Sequence, residues 1–217
     1  MSKVFGHNCE HYKRRFGNAK RSNGAYWYTE EIEKRIVPHI ETDRLWVLYN
    51  MRDVTFHHAI VFVHNNVEPL NYTWLSRCKD LILVCGLPET CENMKGYGET
   101  LYLPLSIDVA EVEKHKQAKC RDVCYAGRAT KRSYSTVNLS GVPMLAGMDR
   151  DRFLDNLAQY RQVYAVGRVA LEAKVLGCEV LPFDKRFPDP DIWVVRDNEE
   201  VIPLLQKGLD EIEEKLR

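Results

Sequence analysis

The stretch 163–182, VYAVGRVALEAKVLGCEVLP, holds the residue types of an anion site with a hydroxyl acceptor beyond it. An apolar run leads to Gly167, then to a helix-forming run, Gly177 and a second apolar run. The pattern predicts strand, tight turn, helix, glycine stop and strand. The first amides of such a helix, those of Arg168 and Val169, have no partner within it and suit a diphosphate at the sheet's C-terminal edge. Gly167 lets a phosphate approach with no Cβ in the way, and Arg168 adds a cation beside it. Glu172 follows one turn later, within reach of ribose hydroxyls. The same spacing also serves a packing turn followed by a surface glutamate, and many doubly wound folds share it.

A second candidate group follows another apolar run. Gly127, Arg128, Lys131 and Arg132 come directly after Val123–Ala126. Cations there can neutralise a diphosphate leaving group, or simply decorate a solvated loop. His64, with Asn65 and Asn66, ends the run AIVFVH at the edge where α/β ligands bind, so it is a candidate for contact with an acceptor or a sugar. A histidine satisfied within its own loop is the other possibility. Glu89, His7 and Asn8 stand at comparable strand ends. Trp27, Tyr28, Trp46, Tyr49 and Trp74 could stack on a sugar or fill the core. Cys120 and Cys124 have a spacing that zinc could use, yet no second pair lies nearby and the segment reads as a strand. Asp189-Pro190-Asp191 reads as a turn.

Short apolar runs alternating with helical patterns imply βαβ units and a mainly parallel sheet. Strands are expected near 3–5, 45–49, 59–64, 80–85, 100–103, 123–126, 162–166, 179–182 and 192–195. Helices are expected from Thr29, as N-cap, to about Ile40, and over 69–78, 88–94, 149–160, 168–176 and 198–216. Pro203 sits early in the last of these. The charged stretch 109–119 separates two strand–helix series.

The chain has 217 residues, with 31 Lys+Arg against 31 Asp+Glu, so its overall charge implies no polyanionic partner. The length allows two small domains of about 100 residues each. Residues 1–22 are locally basic, with Lys3, Lys13, Arg14, Arg15, Lys20 and Arg21 against Glu10. They could contact a phosphate on a nucleic acid, a lipid or a nucleotide, or form a solvated arm. No apolar run approaches the roughly 20 residues of a membrane span, and no secretory leader is evident. Seven cysteines, several inside apolar runs, point to reduced thiols and a cytoplasmic setting.

Gly167-x-x-x-Leu171-Glu172-Ala173, with Gly177 and Val180 beyond, resembles a pattern near the C-terminus of retaining GT-B glycosyltransferases of the GT4-like group. Two more segments are similar in the same order. Leu101–Val109 resembles the family's exit from its N-terminal domain, with Asp108 at the matching aspartate. Tyr125-Ala126-Gly127-Arg128, followed by Lys131 and Arg132, resembles its strand-then-Gly-Arg segment. The resemblance covers about residues 100–217 and, before that, only the layout. It implies an α/β fold of two Rossmann-like domains facing across a cleft, a minimal GT-B, divided as 1–112 and 113–217. It implies metal-independent glycosyl transfer from a nucleoside-diphosphate sugar, with no further cofactor, to an unknown hydroxyl acceptor.

In that scheme Glu172 binds the ribose, while Gly127, Gly167 and the amides of Arg168 and Val169 line the diphosphate. Arg128 and Lys131 or Arg132 stabilise the leaving group. Tyr164 stands where the family often has a second glutamate. Alternatives are a glycosyltransferase acting on hydroxylated DNA bases, held by the basic segment, a non-catalytic nucleotide-sugar-binding module, or a sugar-nucleotide epimerase.

Overall fold

In a computed structural model, described over residues 4–6, 24–49, 54–63 and 69–217, the chain is an α/β protein made of two compact units. The first unit includes Ala25–Pro104 and Asn198–Arg217; the second includes Leu105–Asp197. The division therefore falls at 104/105 and again at 197/198, where a single break at 112/113 was expected. The reason is apolar burial: the last helix closes the core of the first unit. His64, His7, Asn8 and the basic segment through Arg21 lie outside the described residues.

The first unit is built on five parallel strands in the order β1 (Val4–Phe5), β2 (Leu45–Val47), β3 (His57–Val63), β4 (Lys79–Cys85) and β5 (Glu99–Tyr102). Strand β3 aligns Ile60 with Ile82 and Val61 with Leu83 of β4. Successive residues bury opposite faces, because strand side chains alternate. Ala59, Val61, Val63, Leu81 and Leu83 join one core with Leu75, Cys91 and Met94. These last come from a 3-10 segment (Pro69–Arg77) and from helix α2 (Pro88–Met94). Ile60, Phe62, Ile82 and Val84 join the other core. Strands apolar on both faces need covers on both sides. The second cover combines helix α1 (Gly24–Glu31), its continuation as a π turn over Ile32–Ile36, and helix α6 (Asn198–Leu216). Val201, Leu205, Leu209 and Ile212 of α6 recur at helical spacing and enter that core. The helix runs on through Pro203.

Thr29 lies inside α1, not at its N-cap. Its buried hydroxyl donates to the Leu48 carbonyl at 3.1 Å, an alternative outlet for a group that would otherwise cap.

An ionic cluster pins α6 at the amino edge of this sheet. The buried Arg44 guanidinium pairs through Nε with Glu213 of α6, and its Nη1 lies 2.9 Å from both the carbonyl and Oδ1 of Asp80. His58 faces Asp80 Oδ2 at 2.6 Å through Nδ1 and Asp43 Oδ1 at 3.1 Å through Nε2. Both ring nitrogens meet carboxylates, which fits the imidazolium form. His58 and Asp80 have φ of 52° and 51°, a left-handed conformation rare within strands, and these contacts hold them in it.

The second unit is a four-stranded parallel sheet in the order β7 (Met144–Leu145), β6 (Arg121–Ala126), β8 (Tyr160–Tyr164) and β9 (Glu179–Leu181). Helix α3 (Val109–Glu113) precedes it, α4 (Arg150–Ala158) links β7 to β8, and α5 (Arg168–Val175) links β8 to β9. Asp149 caps α4 as its sequence predicts, accepting from the Arg152 amide at 3.0 Å. The short β7 was not anticipated. No strand forms at 192–195; Pro190–Ile192 is a 3-10 turn, and the chain pairs only at a bridge between Asp197 and Ile107. The prolines at 188 and 190 and the cap from Asp189 to the Asp191 amide favour that turn. Among the described residues, no helix is long and apolar enough to cross a membrane.

Two outcomes follow for stability. Arg44→Met strands two carboxylates and should lower the unfolding free energy by about 3 kcal/mol in urea titrations; a loss below about 1 kcal/mol would show the cluster to be decorative. Hydrogen bonding to Asp80, then to Asp43, raises the His58 pKa above its usual value. Its contribution is complete below the unfolded value of about 6.5 and is lost as pH rises through the raised folded value. The gap in urea midpoint between the unaltered chain and His58→Gln should be wider at about pH 5.5 than at about pH 9; an equal gap refutes the assignment.

Candidate functional site

The strand order of the second unit determines where a ligand can sit. The chain leaves β6 for β7 on one side, then returns across to β8 on the other. Open α/β sheets bind their ligands at such a reversal, here beyond the carboxyl ends of β6 and β8. The first unit has strands in simple sequence order and, among its described strands, no such reversal. Two of the sequence candidates, the loops beginning at Gly127 and at Gly167, follow these two strands.

Gly167 precedes α5 with φ 65° and ψ −140°, a conformation open essentially to glycine alone. A Cβ there would meet only Leu105 Cδ1, at 4.0 Å, so the requirement is conformational and not one of space. The Ala170 and Leu171 amides donate back to the Gly167 carbonyl at 2.9 and 3.3 Å. The amides ahead of them, of Arg168 and the half-buried Val169, have no carbonyl to meet inside the helix.

Glu172 is buried, which rules out a surface glutamate. Its Oε1 accepts from Arg168 Nε at 2.7 Å and from Arg150 Nη1 at 2.7 Å. Its Oε2 is buried and has no hydrogen-bond partner among the described residues. A buried acceptor left without a donor is destabilising by about 1–3 kcal/mol. Arg168, the cation expected beside a phosphate, meets Glu172 through Nε, because positions four apart share a helix face.

On the other flank, Tyr125 Oη donates to the Arg128 carbonyl at 2.7 Å and pins the loop to its strand. A Cβ on Gly127 would come within 3.1 Å of that hydroxyl, so glycine admits the tyrosine. Arg128 is exposed and Lys131 half-buried. Lys131 is drawn down to a pKa of about 8 by burial, then by the positive charges of Arg128 and Arg186, with Asp184 opposing. Arg132 differs from its neighbour. Its Nη2 donates to the Leu139 and Val142 carbonyls, both at 3.2 Å, and its guanidinium lies 5.2 Å from the Tyr125 ring centre. Arg132 braces the loop, and of the two candidate cations Lys131 is the one whose side chain makes no hydrogen bond among the described residues.

Tyr164 is half-buried, its ring edge-on to Phe183 at 6.4 Å. Asp108 caps α3, accepting from the Glu111 amide at 2.9 Å. Glu89 is exposed in the first turn of α2.

Two arginines were not singled out in the sequence. Arg186, beyond β9, is held in bidentate fashion by the buried Asp184 at 2.8 and 2.6 Å and lies 3.5 Å over the Tyr134 ring. A bridge between Ser135 and Asp184 joins this loop to the one after β6. Arg150 is the first residue of α4. A cation at a helix start opposes the helix dipole, and that is the signal by which it could have been found. Arg186 left no such sign, because the Tyr134 ring it covers comes from another loop.

No protein-family model matches this chain, and no curated protein matches it in sequence.

The Lys131 ammonium yields a pH signature. Its folded pKa near 8 lies below its ordinary value of 10.5, so between them the unfolded chain binds a proton that the folded chain does not. Stability therefore rises with pH across that window. Lys131→Met should remove this rise in urea titrations between about pH 8 and 10; an unchanged slope would place the ammonium in water.

Proposed function

We propose that the chain is a glycosyltransferase, moving a sugar from a nucleoside-diphosphate sugar to a hydroxyl acceptor. The two units serve as the donor and acceptor halves of a minimal GT-B enzyme, with the donor on the second unit. One observation carries this reading. At the β6/β8 reversal, a glycine-led helix start, a cationic loop and a buried carboxylate oxygen without a donor belong to neighbouring strand ends. An anion with a hydroxyl-bearing neighbour matches all three.

The amides after Gly167 hold the diphosphate, and Glu172 Oε2 accepts from the ribose. In the reaction the bond between the anomeric carbon and the diphosphate oxygen breaks, its electron pair leaving with the diphosphate. The acceptor oxygen bonds to that carbon and gives up its proton. Arg128 and Lys131 offset the charge that develops on the leaving group. A non-catalytic nucleotide-sugar-binding module is a second reading, favoured by Tyr164, whose ring leans on Phe183 where the family often carries a glutamate.

A thermal-shift panel of nucleoside diphosphates and their sugars tests both readings. At saturation, at least one member should raise the melting temperature by about 5 °C. That shift should vanish in Glu172→Ala, scored against the variant's own baseline. Binding without hydrolysis or transfer, across a panel of hydroxyl acceptors, selects the second reading. Silence from every member defeats both.

A further inference from the structure

Lys131 differs from other lysines of the chain. Lys34, Lys95, Lys114 and Lys116 each face a glutamate three or four positions away, and Lys119 donates to the Ala158 and Leu176 carbonyls. Lys131 is half-buried and makes no hydrogen bond among the described residues, yet its nitrogen is not sealed from solvent as Glu172 Oε2 is.

The loop that carries it fixes its neighbours. The 3-10 segment Ala129–Tyr134 follows β6, and side chains three apart eclipse in such a helix, so Lys131 and Tyr134 share one side of it. The chain beyond β9 is stitched to this segment. The Lys185 amide donates to the Tyr134 carbonyl at 3.1 Å, and the Thr136 amide to the Phe183 carbonyl at 2.7 Å. The stitching brings the Arg186 guanidinium over the Tyr134 ring and near Lys131, whose charge it opposes together with Arg128. Asp184, which favours the ammonium, is gripped through both oxygens by Arg186. A partly desolvated amine beside guanidiniums holds its proton weakly, and without that proton it has a lone pair to give.

We propose that Lys131 is a covalent capture site for small aldehydes that carry an anionic group. The lone pair of Nζ adds to the aldehyde carbon, the carbonyl electron pair moves to oxygen, and a proton passes from nitrogen to that oxygen. Loss of water then leaves an imine, with no oxidant or reductant consumed. The surroundings that keep the amine unprotonated keep the imine unprotonated too, and a neutral imine resists water better than an iminium does. An anionic group on the aldehyde is drawn by the same guanidiniums that repel the ammonium. This chemistry goes beyond sugar transfer and needs no nucleotide.

Pyridoxal 5′-phosphate is the probe, with pyridoxal as the aldehyde lacking phosphate. Each is incubated with the unaltered chain, the imine is fixed with borohydride, and the labelled lysines are read by peptide mass spectrometry. At about pH 7.5, Lys131 should take up the phosphorylated probe about tenfold faster than the exposed Lys95 and Lys114 do. Its rate should reach half its plateau near pH 8, where burial and then the two arginines place its titration. Scored against labelling of Lys95 by the same probe, the preference of pyridoxal for Lys131 should be at least about threefold smaller. Arg128→Gln, at an exposed position, should move the half-plateau to higher pH and slow labelling of Lys131 at about pH 7.5 by about threefold. Labelling spread evenly over the exposed lysines overturns the proposal. So does an equal preference of both probes for Lys131, which would leave the anionic group no part, and so does a half-plateau unmoved in Arg128→Gln.

Discussion

A carboxylate buried between two guanidiniums, each from the first residue of a helix, is the contact around which the second unit is arranged. Removing Glu172 leaves two guanidiniums facing each other with no carboxylate between them, and loss of the shared partner of a buried ion pair is strongly destabilising. The arrangement ties α4 to α5 across the carboxyl edge of the sheet. Its orientation is one-sided, with one oxygen crowded and the other bare. A purely structural ion pair gains from satisfying both oxygens.

The two units solve the same packing problem differently. In the first, the strands run in sequence order, both faces are covered, and the chain's last helix supplies part of one cover. In the second, the order reverses, and the loops that diverge there hold the candidate groups. Charge is handled differently too. Arg44 is buried at the amino edge of the first sheet with its carboxylate partners in place. Lys131, at the carboxyl edge of the second, stands among like charges with its ammonium partly stripped of water. The first cluster is closed on itself; around Lys131, Arg128 and Arg186 oppose its charge and Asp184 favours it.

Much of the secondary structure was legible because local rules sufficed. Pro88–Met94, the Asp149 cap, the glycine turn at Gly167 and the alternating strands β3 and β4 each carry their own punctuation. Where the rules failed, a distant partner had intervened. Thr29 has the right residue type for a cap, yet its hydroxyl meets a carbonyl nineteen positions away. The apolar residues at 192–195 resemble a strand, but prolines and an aspartate cap turn the chain first. Within the site, Gly127, Arg128, Lys131, Gly167 and Glu172 were visible as motif residues after strands. Arg150 and Arg186 were not, because Arg150 meets Glu172 on another helix and Arg186 covers the Tyr134 ring of another loop.

By itself, the sequence determined the α/β class, the presence of two strand–helix series, and the glycine turn with its glutamate one helical turn on. These follow from periodicity and backbone preference, which act over a few residues. Only the tertiary structure decided that the last helix belongs to the first unit, that Arg132 is a brace while Lys131 is partly stripped of water, and that Glu172 is buried with one oxygen bare. Those outcomes depend on burial and on pairing between segments far apart in the chain, and the energy of a charge changes severalfold with whether water can reach it.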